Sequence, residues 1–190
     1  MREIVLKNEE IVEICKRIDK ELEERFKNSS SIPVFIGVLK GATPFFMDLL
    51  KYYTLPCKID FIQVSSYDGT SSTGVIHLKK DISIDIKGKD IVLIEDIIDT
   101  GLTLNYLKQY FQIRYMPSSI TIVTLVDKKP LRKVDLKCDI VGLTLNQNKF
   151  LVGYGFDYNE LVRNFDYVFV PSKKDIDEWD KAISKDSKVK

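Results

Sequence analysis

The chain has 190 residues, 44% hydrophobic and 30% charged, with a formal net charge of +1; that is enough for one buried core and predicts a single domain spanning 1–190. A balanced charge without a long one-sign run excludes the electrostatic footprint of a nucleic-acid binder. No apolar run is long enough for a bilayer, so no membrane partner is expected, and Cys15, Cys57 and Cys138, far apart and without metal-ligand spacing, read as free thiols of a reducing, cytoplasmic compartment.

In chain order, Asn8 can cap a helix whose apolar positions Ile11, Ile14, Cys15, Ile18, Leu22 and Phe26 form one stripe. After the polar break Asn28 to Ser31, Pro33 to Leu39 reads as a buried strand, and Thr43-Pro44 supplies the cap and first position of another helix. Lys40 and Gly41 lie between them. The ammonium gives charge and the glycine close approach, which suits an anion, although an ordinary strand-to-helix turn accounts for them equally. Ile59 to Val64 is a further strand, running into the long small-residue connection Ser65 to Gly74 and then the alternating Val75-Ile76-His77-Leu78. Composition admits both a hairpin tip and a lid there. The single histidine, His77, reads as a structural residue flanking this hairpin.

The chain is organised around Ile91 to Leu104. Four apolar residues predict a strand buried on both faces, which passes through Glu95 and Asp96 into Asp99-Thr100-Gly101-Leu102-Thr103, a helix start. Gly101 lets the backbone approach a ligand, Thr100 and Thr103 bring hydroxyl donors, and the first N–H groups of a helix beginning near Leu102 lack intrahelical partners, so the turn suits an anion. Glu95 and Asp96 repel each other and lose hydration at a strand's buried end unless a cation or hydroxyl meets them; a sugar diol and a divalent metal would do so. Acids that favour a helix dipole are the plain alternative for Asp99 alone.

Leu104, Leu107, Lys108 and Phe111 predict the following helix, and Ser119 to Val126 another buried strand. Strand, helix, strand argues for an α/β fold with a parallel sheet, whose ligands gather at the strands' carboxyl ends, where Lys40, Glu95, Asp96, Asp99 and Lys128 fall. Lys128 taken alone also fits a solvated turn before Pro130. Asp139 to Leu143 is a last strand-like segment; the aromatics between Lys149 and Glu160 read alone as ordinary core. From Ser172 on, Ile176, Trp179 and Ile183 at helical spacing predict a short helix with a frayed end.

The run Glu95-Asp96-Ile97-Ile98-Asp99-Thr100-Gly101 resembles the phosphoribosyl pyrophosphate (PRPP) signature of type I phosphoribosyltransferases in its 6-oxopurine, hypoxanthine-guanine form. Other stretches extend the resemblance over nearly the whole chain. It implies a central, mostly parallel sheet flanked by helices, with a core over roughly 30–145 and a small hood formed by the N-terminal segment and roughly 146–175. The Leu39-Lys40-Gly41 loop would bind pyrophosphate, in the family often through a cis peptide, here between Leu39 and Lys40, and Arg163 matches a residue that reaches the same anion. Ser66 and Tyr67 match the Ser-Tyr pair of a flexible loop that closes over the reacting centre; Asp68 departs from a glycine common after that tyrosine. Asp99 to Thr103 would hold the 5′-phosphate, with Asp99 as general base at N7 of the purine. Lys128 would read the 6-oxo group, Phe150 stack on the base, Leu151 offer backbone groups to its edge, and Asp157 both border the purine and contribute to metal binding. Two Mg²⁺ ions are implied, one near Glu95 and Asp96, the other near Asp157.

The resemblance thus implies a purine-salvage enzyme that transfers the phosphoribosyl group of PRPP to N9 of hypoxanthine or guanine, giving IMP or GMP and pyrophosphate, as a homodimer or homotetramer. A PRPP-sensing regulator on the same fold, a phosphoribosyltransferase preferring xanthine or a pyrimidine, and an unrelated nucleotide-binding domain are the other readings.

Overall fold

The computed structural model describes residues 2–66 and 76–187. The elements run β1 (Glu3–Leu6), α1 (Asn8–Phe26), β2 (Val34–Leu39), α2 (Thr43–Leu50), β3 (Lys58–Ser66), β4 (Ile76–Lys80), β5 (Asp90–Ile98), α3 (Leu102–Arg114), β6 (Ser119–Lys128), β7 (Ile140–Leu145), β8 (Val168–Val170) and α4 (Lys173–Asp186). Six strands form one sheet in the order β4-β3-β2-β5-β6-β7. All its neighbours are parallel except β3 and β4, so the α/β fold with a mostly parallel sheet is the one observed.

Strand β5 shows why the sheet is buried on both sides. Its side chains alternate: Val92 and Ile94 join the cluster that packs with Cys15, Ile18 and Leu22 of α1 and Phe45, Phe46 and Leu49 of α2, while Ile91 and Leu93 join Leu104, Leu107 and Phe111 of α3 on the other face. A strand with one apolar residue after another is stable only between two such layers. The chain leaves β2 toward β3 on one side and returns to β5 on the other, so a crevice opens beyond the carboxyl ends of β2 and β5. Topology therefore fixes where a ligand can enter.

A second sheet pairs β1 antiparallel with β8. Its Leu6 and Val168 share a core with Leu151, Tyr154 and Phe156 and with α1, which puts the segment after β7 on the side of the main sheet that α1 and α2 cover. Arg2 ties this unit to α4: its guanidinium donates to Asp175 Oδ1 at 2.8 Å and lies 4.7 Å from the Phe169 ring centroid.

Two local expectations change. Asn8 is the first helical residue of α1, not its cap; Lys7 is the cap, its N–H donates to Glu10 Oε2 at 2.8 Å, and Asn8 Nδ2 instead donates to Asp166 O at 3.1 Å. Asp19, on the buried side of α1, is only 4% exposed, so the apolar stripe carries an acid. Tyr67, Asp68 and the rest of the expected lid lie outside the described residues, and Ser66 ends β3 opposite Ile76. No helix among the described residues is long and apolar enough to cross a membrane.

Candidate active site

Three strand ends meet at the crevice. At the end of β2 the Leu39-Lys40 peptide is cis, and Gly41 follows. A Cβ on Gly41 would run into the Asp96 carboxylate, so this turn lies directly against Asp96 and any larger residue would force that side chain to shift. Glu95 and Asp96 are each 8% exposed and, among the described residues, neither makes an ion pair. Burial and the adjacent Asp96 charge push Glu95 well above the usual carboxylate range. Asp96 is raised too, by burial, against the lowering effect of hydrogen bonds and the field of Arg163.

Beyond β5 the chain makes the turn Asp99 to Gly101. Gly101 sits at φ 80°, caps α3, and accepts a hydrogen bond from Asn105 N at 3.0 Å. Its lack of a side chain has a second reason beyond ligand approach, because a Cβ there would press on Arg132 Cδ and Val134 Cγ2 at 3.0 Å. Glu95, Asp96, Asp99, Thr100, Gly101 and Thr103 line one cavity of about 240 Å³, with Leu102 opening the helix beside it. A larger groove of about 600 Å³ runs along α1, but its charged walls pair with one another, as in Lys16 with Glu13 and Arg17 with Glu21, and no strand end reaches it.

Lys128 completes the group. It is the last residue of β6 and 5% exposed, which rules out the solvated turn. Its Nζ lies 3.1 Å from Asp99 Oδ1 as an ion pair, off the direction of a hydrogen bond, so that buried oxygen has no hydrogen-bond partner among the described residues. Arg132 braces this strand end: it pairs with Asp127 and donates to Leu136 O at 2.9 Å. The sequence carried no signal for Arg132 beyond its position four residues after Lys128.

The segment after β7 folds back over the same crevice. Phe150 is 50% exposed and stands edge-on to Tyr158, ring centroids 6.1 Å apart, so it is not core. Leu151 is buried beside it. Gly155, at φ 95°, is pressed on Gly41, where a Cβ would meet the Gly41 carbonyl. Arg163 donates to Gly155 O at 2.7 Å and pairs with Asp157 Oδ1 at 3.0 Å, while Asp157 Oδ2 accepts from Glu160 N at 2.9 Å. Glu160, which the sequence reading passed over, reaches Lys40 Nζ at 2.8 Å and Arg163 at 3.2 Å. Its spacing, three residues from both Asp157 and Arg163, was the available signal.

The structure therefore brings Lys40, Gly41, Glu95, Asp96, Asp99 to Thr103, Lys128, Asp157 and Arg163 to one end of the sheet. Chemically it offers an anion turn, a pair of buried acids, a buried cation next to a carboxylate, and two further cations. Parallel topology with this turn at the switch point defines a nucleotide- or sugar-phosphate-handling α/β protein.

A model of the phosphoribosyl transferase domain matches residues 1–159. The chain is 43% identical to the hypoxanthine-guanine phosphoribosyltransferase of Bacillus subtilis over 90% of its own length and 93% of that protein. It is 39% identical to the enzyme of the same name from Streptococcus pneumoniae, with the same coverage. Among solved structures, a hypoxanthine phosphoribosyltransferase from Staphylococcus aureus superposes with a TM-score of 0.84 at 39% identity, covering 90% of this chain and 92% of that one. The Trypanosoma cruzi hypoxanthine phosphoribosyltransferase in complex with the product IMP gives 0.83 at 33% identity, covering 90% and 95%. The chain belongs to the phosphoribosyltransferase family, among the hypoxanthine-guanine phosphoribosyltransferases.

Proposed function

We propose that this protein transfers the 5-phosphoribosyl group of PRPP to N9 of hypoxanthine and guanine, forming IMP or GMP and pyrophosphate, as a cytoplasmic purine-salvage enzyme and a homodimer or homotetramer. Within one domain, the core over roughly 30–145 would hold PRPP, and a hood from the N-terminal segment and roughly 146–175 would cover the base.

The observation that carries this reading is the Lys128 and Asp99 pair, 3.1 Å apart at neighbouring strand ends. The O6 and N7 atoms of a 6-oxopurine are neighbours on one edge, and a fixed ammonium beside a carboxylate is complementary to an acceptor beside a proton that must leave. Adenine puts an amino donor against the lysine and leaves a buried cation without its bond, so it is rejected. Phe150, half exposed at the mouth, gives the ring a stacking surface.

The reaction must carry away a polyanionic leaving group from a carbon that passes through a cation-like state. Asp99 to Thr103 hold the 5′-phosphate by backbone N–H groups and hydroxyls. Lys40, Gly41 and Arg163 grip pyrophosphate, and Asp99 takes the purine proton as N9 attacks. Glu95 and Asp96 suit Mg²⁺ and the ribose diol, because they are two buried acids without an ion pair among the described residues. Asp157 suits a second ion less directly, since both its oxygens are engaged by Arg163 and Glu160. Bound Mg²⁺ would supply charge neutralisation of the leaving group. Ser66 and Tyr67 belong to the expected closing loop. Nucleotide formation from PRPP and Mg²⁺ with hypoxanthine, guanine, xanthine and adenine tests the proposal: turnover of the first two and not of adenine is expected, and PRPP binding without turnover of any base would favour the regulator instead.

A further inference from the structure

Glu160 takes no part in the transfer proposed above, yet its carboxylate sits on the two cations assigned there to pyrophosphate. One oxygen, Oε2, lies 2.8 Å from Lys40 Nζ at the end of β2 and 3.2 Å from a terminal nitrogen of Arg163. An oxygen shared between a lysine and an arginine from distant parts of the chain is how a phosphate oxygen is gripped. The backbone is bent to put it there. Asn159, Glu160 and Val162 have φ of 48°, 69° and 66°, the left-handed region, which Asn tolerates but Glu and β-branched Val adopt only against strain. Backbone hydrogen bonds between Tyr158 and Leu161 at 3.1 and 2.9 Å, and Glu160 N to Asp157 Oδ2 at 2.9 Å, lock the turn. The Glu160 side chain is nevertheless 62% exposed, so burial of this residue does not account for the bend.

Resting on the assignment of Lys40 and Arg163 to pyrophosphate, we infer that Glu160 is a positioning residue that stands in for the leaving group between turnovers. Tethered beside the site, it keeps both cations turned toward the place the pyrophosphate will occupy. An incoming pyrophosphate must displace it, and a departing one is replaced by it. Competition fixes the sign of the effect: neutralising Glu160 tightens pyrophosphate binding, whereas removing a mere structural brace would weaken it.

Calorimetric titration of inorganic pyrophosphate with Mg²⁺ into the native chain and into Glu160→Gln decides this, with thermal melting of each chain as the folding control. The variant is expected to bind pyrophosphate ~3- to 10-fold more tightly, the scale of two exposed ion pairs. Equal or weaker binding by a variant that melts like the native chain overturns the inference while leaving the pyrophosphate assignment intact. Binding by neither chain overturns both.

Discussion

In the reaction proposed, Lys128 is the residue on which base choice turns. It is buried, its neighbour Asp127 is held by Arg132, and its one ion pair among the described residues is with Asp99. Lys128→Ala should cut the preference for 6-oxopurines over adenine by at least ~10-fold, the scale of one lost buried charge-assisted hydrogen bond; competition between hypoxanthine and adenine for one enzyme measures it, and an unchanged ratio would contradict the role. Asp19 gives a prediction about stability. Burial, with Glu23 nearby, raises its carboxyl to about 6. A carboxyl whose folded pKa lies above its unfolded value binds its proton more tightly when folded, so its favourable contribution is present below the unfolded pKa and is lost as pH rises through about 6. Asp19→Asn should therefore gain stability relative to the native chain between pH ~5 and ~7.5, by no more than ~3 kcal/mol. Urea denaturation at both pH values checks this, and a difference that does not grow with pH would be inconsistent with it. The three thiols are of another kind: burial pushes Cys15 and Cys138 up to about 12 and raises Cys57 as well, which makes them inert packing groups.

At the scale of elements, much was legible because the signals are local. The α1 stripe, apart from the buried Asp19, the continuous apolar run of β5 and the glycine after Thr100 each follow from a few neighbouring residues and are found as read. What escaped is long-range. Strands β1 and β8 are four and three residues long and pair across most of the chain, so neither has a periodic signature, and only a partner far away in sequence makes them strands. Phe150 and Lys128 were ambiguous for a related reason: whether an aromatic is core or a lysine solvated depends on what packs around it. The roles expected for them came from resemblance, not from pattern. The contact of Gly155 with Gly41 is equally invisible in sequence, and it joins two segments of the proposed site. Gly155→Ala should destabilise the fold by ~1–3 kcal/mol, from a strained φ and a side chain driven into a carbonyl. It should also weaken pyrophosphate binding, because the Lys40 turn must move. A melting temperature and a pyrophosphate titration like those of the native chain would show that the two segments are not so coupled.

For the whole molecule, the sheet order sets the site. Because β2 lies between β3 and β5, the chain winds in both directions from one place, and the carboxyl ends of β2, β5 and β6 deliver a cationic turn, a pair of acids followed by the Asp99 to Gly101 turn, and a lysine to the same crevice. The hydrophobic core that fixes those strand ends is what lets buried charges persist there, since each would be costly without a partner or a ligand. The acceptance of the purine proton by Asp99, held beside Lys128, is the step on which the proposed phosphoribosyl transfer depends. It is tested most directly by single-turnover formation of IMP from PRPP, Mg²⁺ and hypoxanthine in the native chain and in Asp99→Asn, with PRPP affinity measured alongside. A rate lower by ~10²- to 10⁴-fold with PRPP still bound is the predicted result. A variant that forms IMP at the native rate would contradict it.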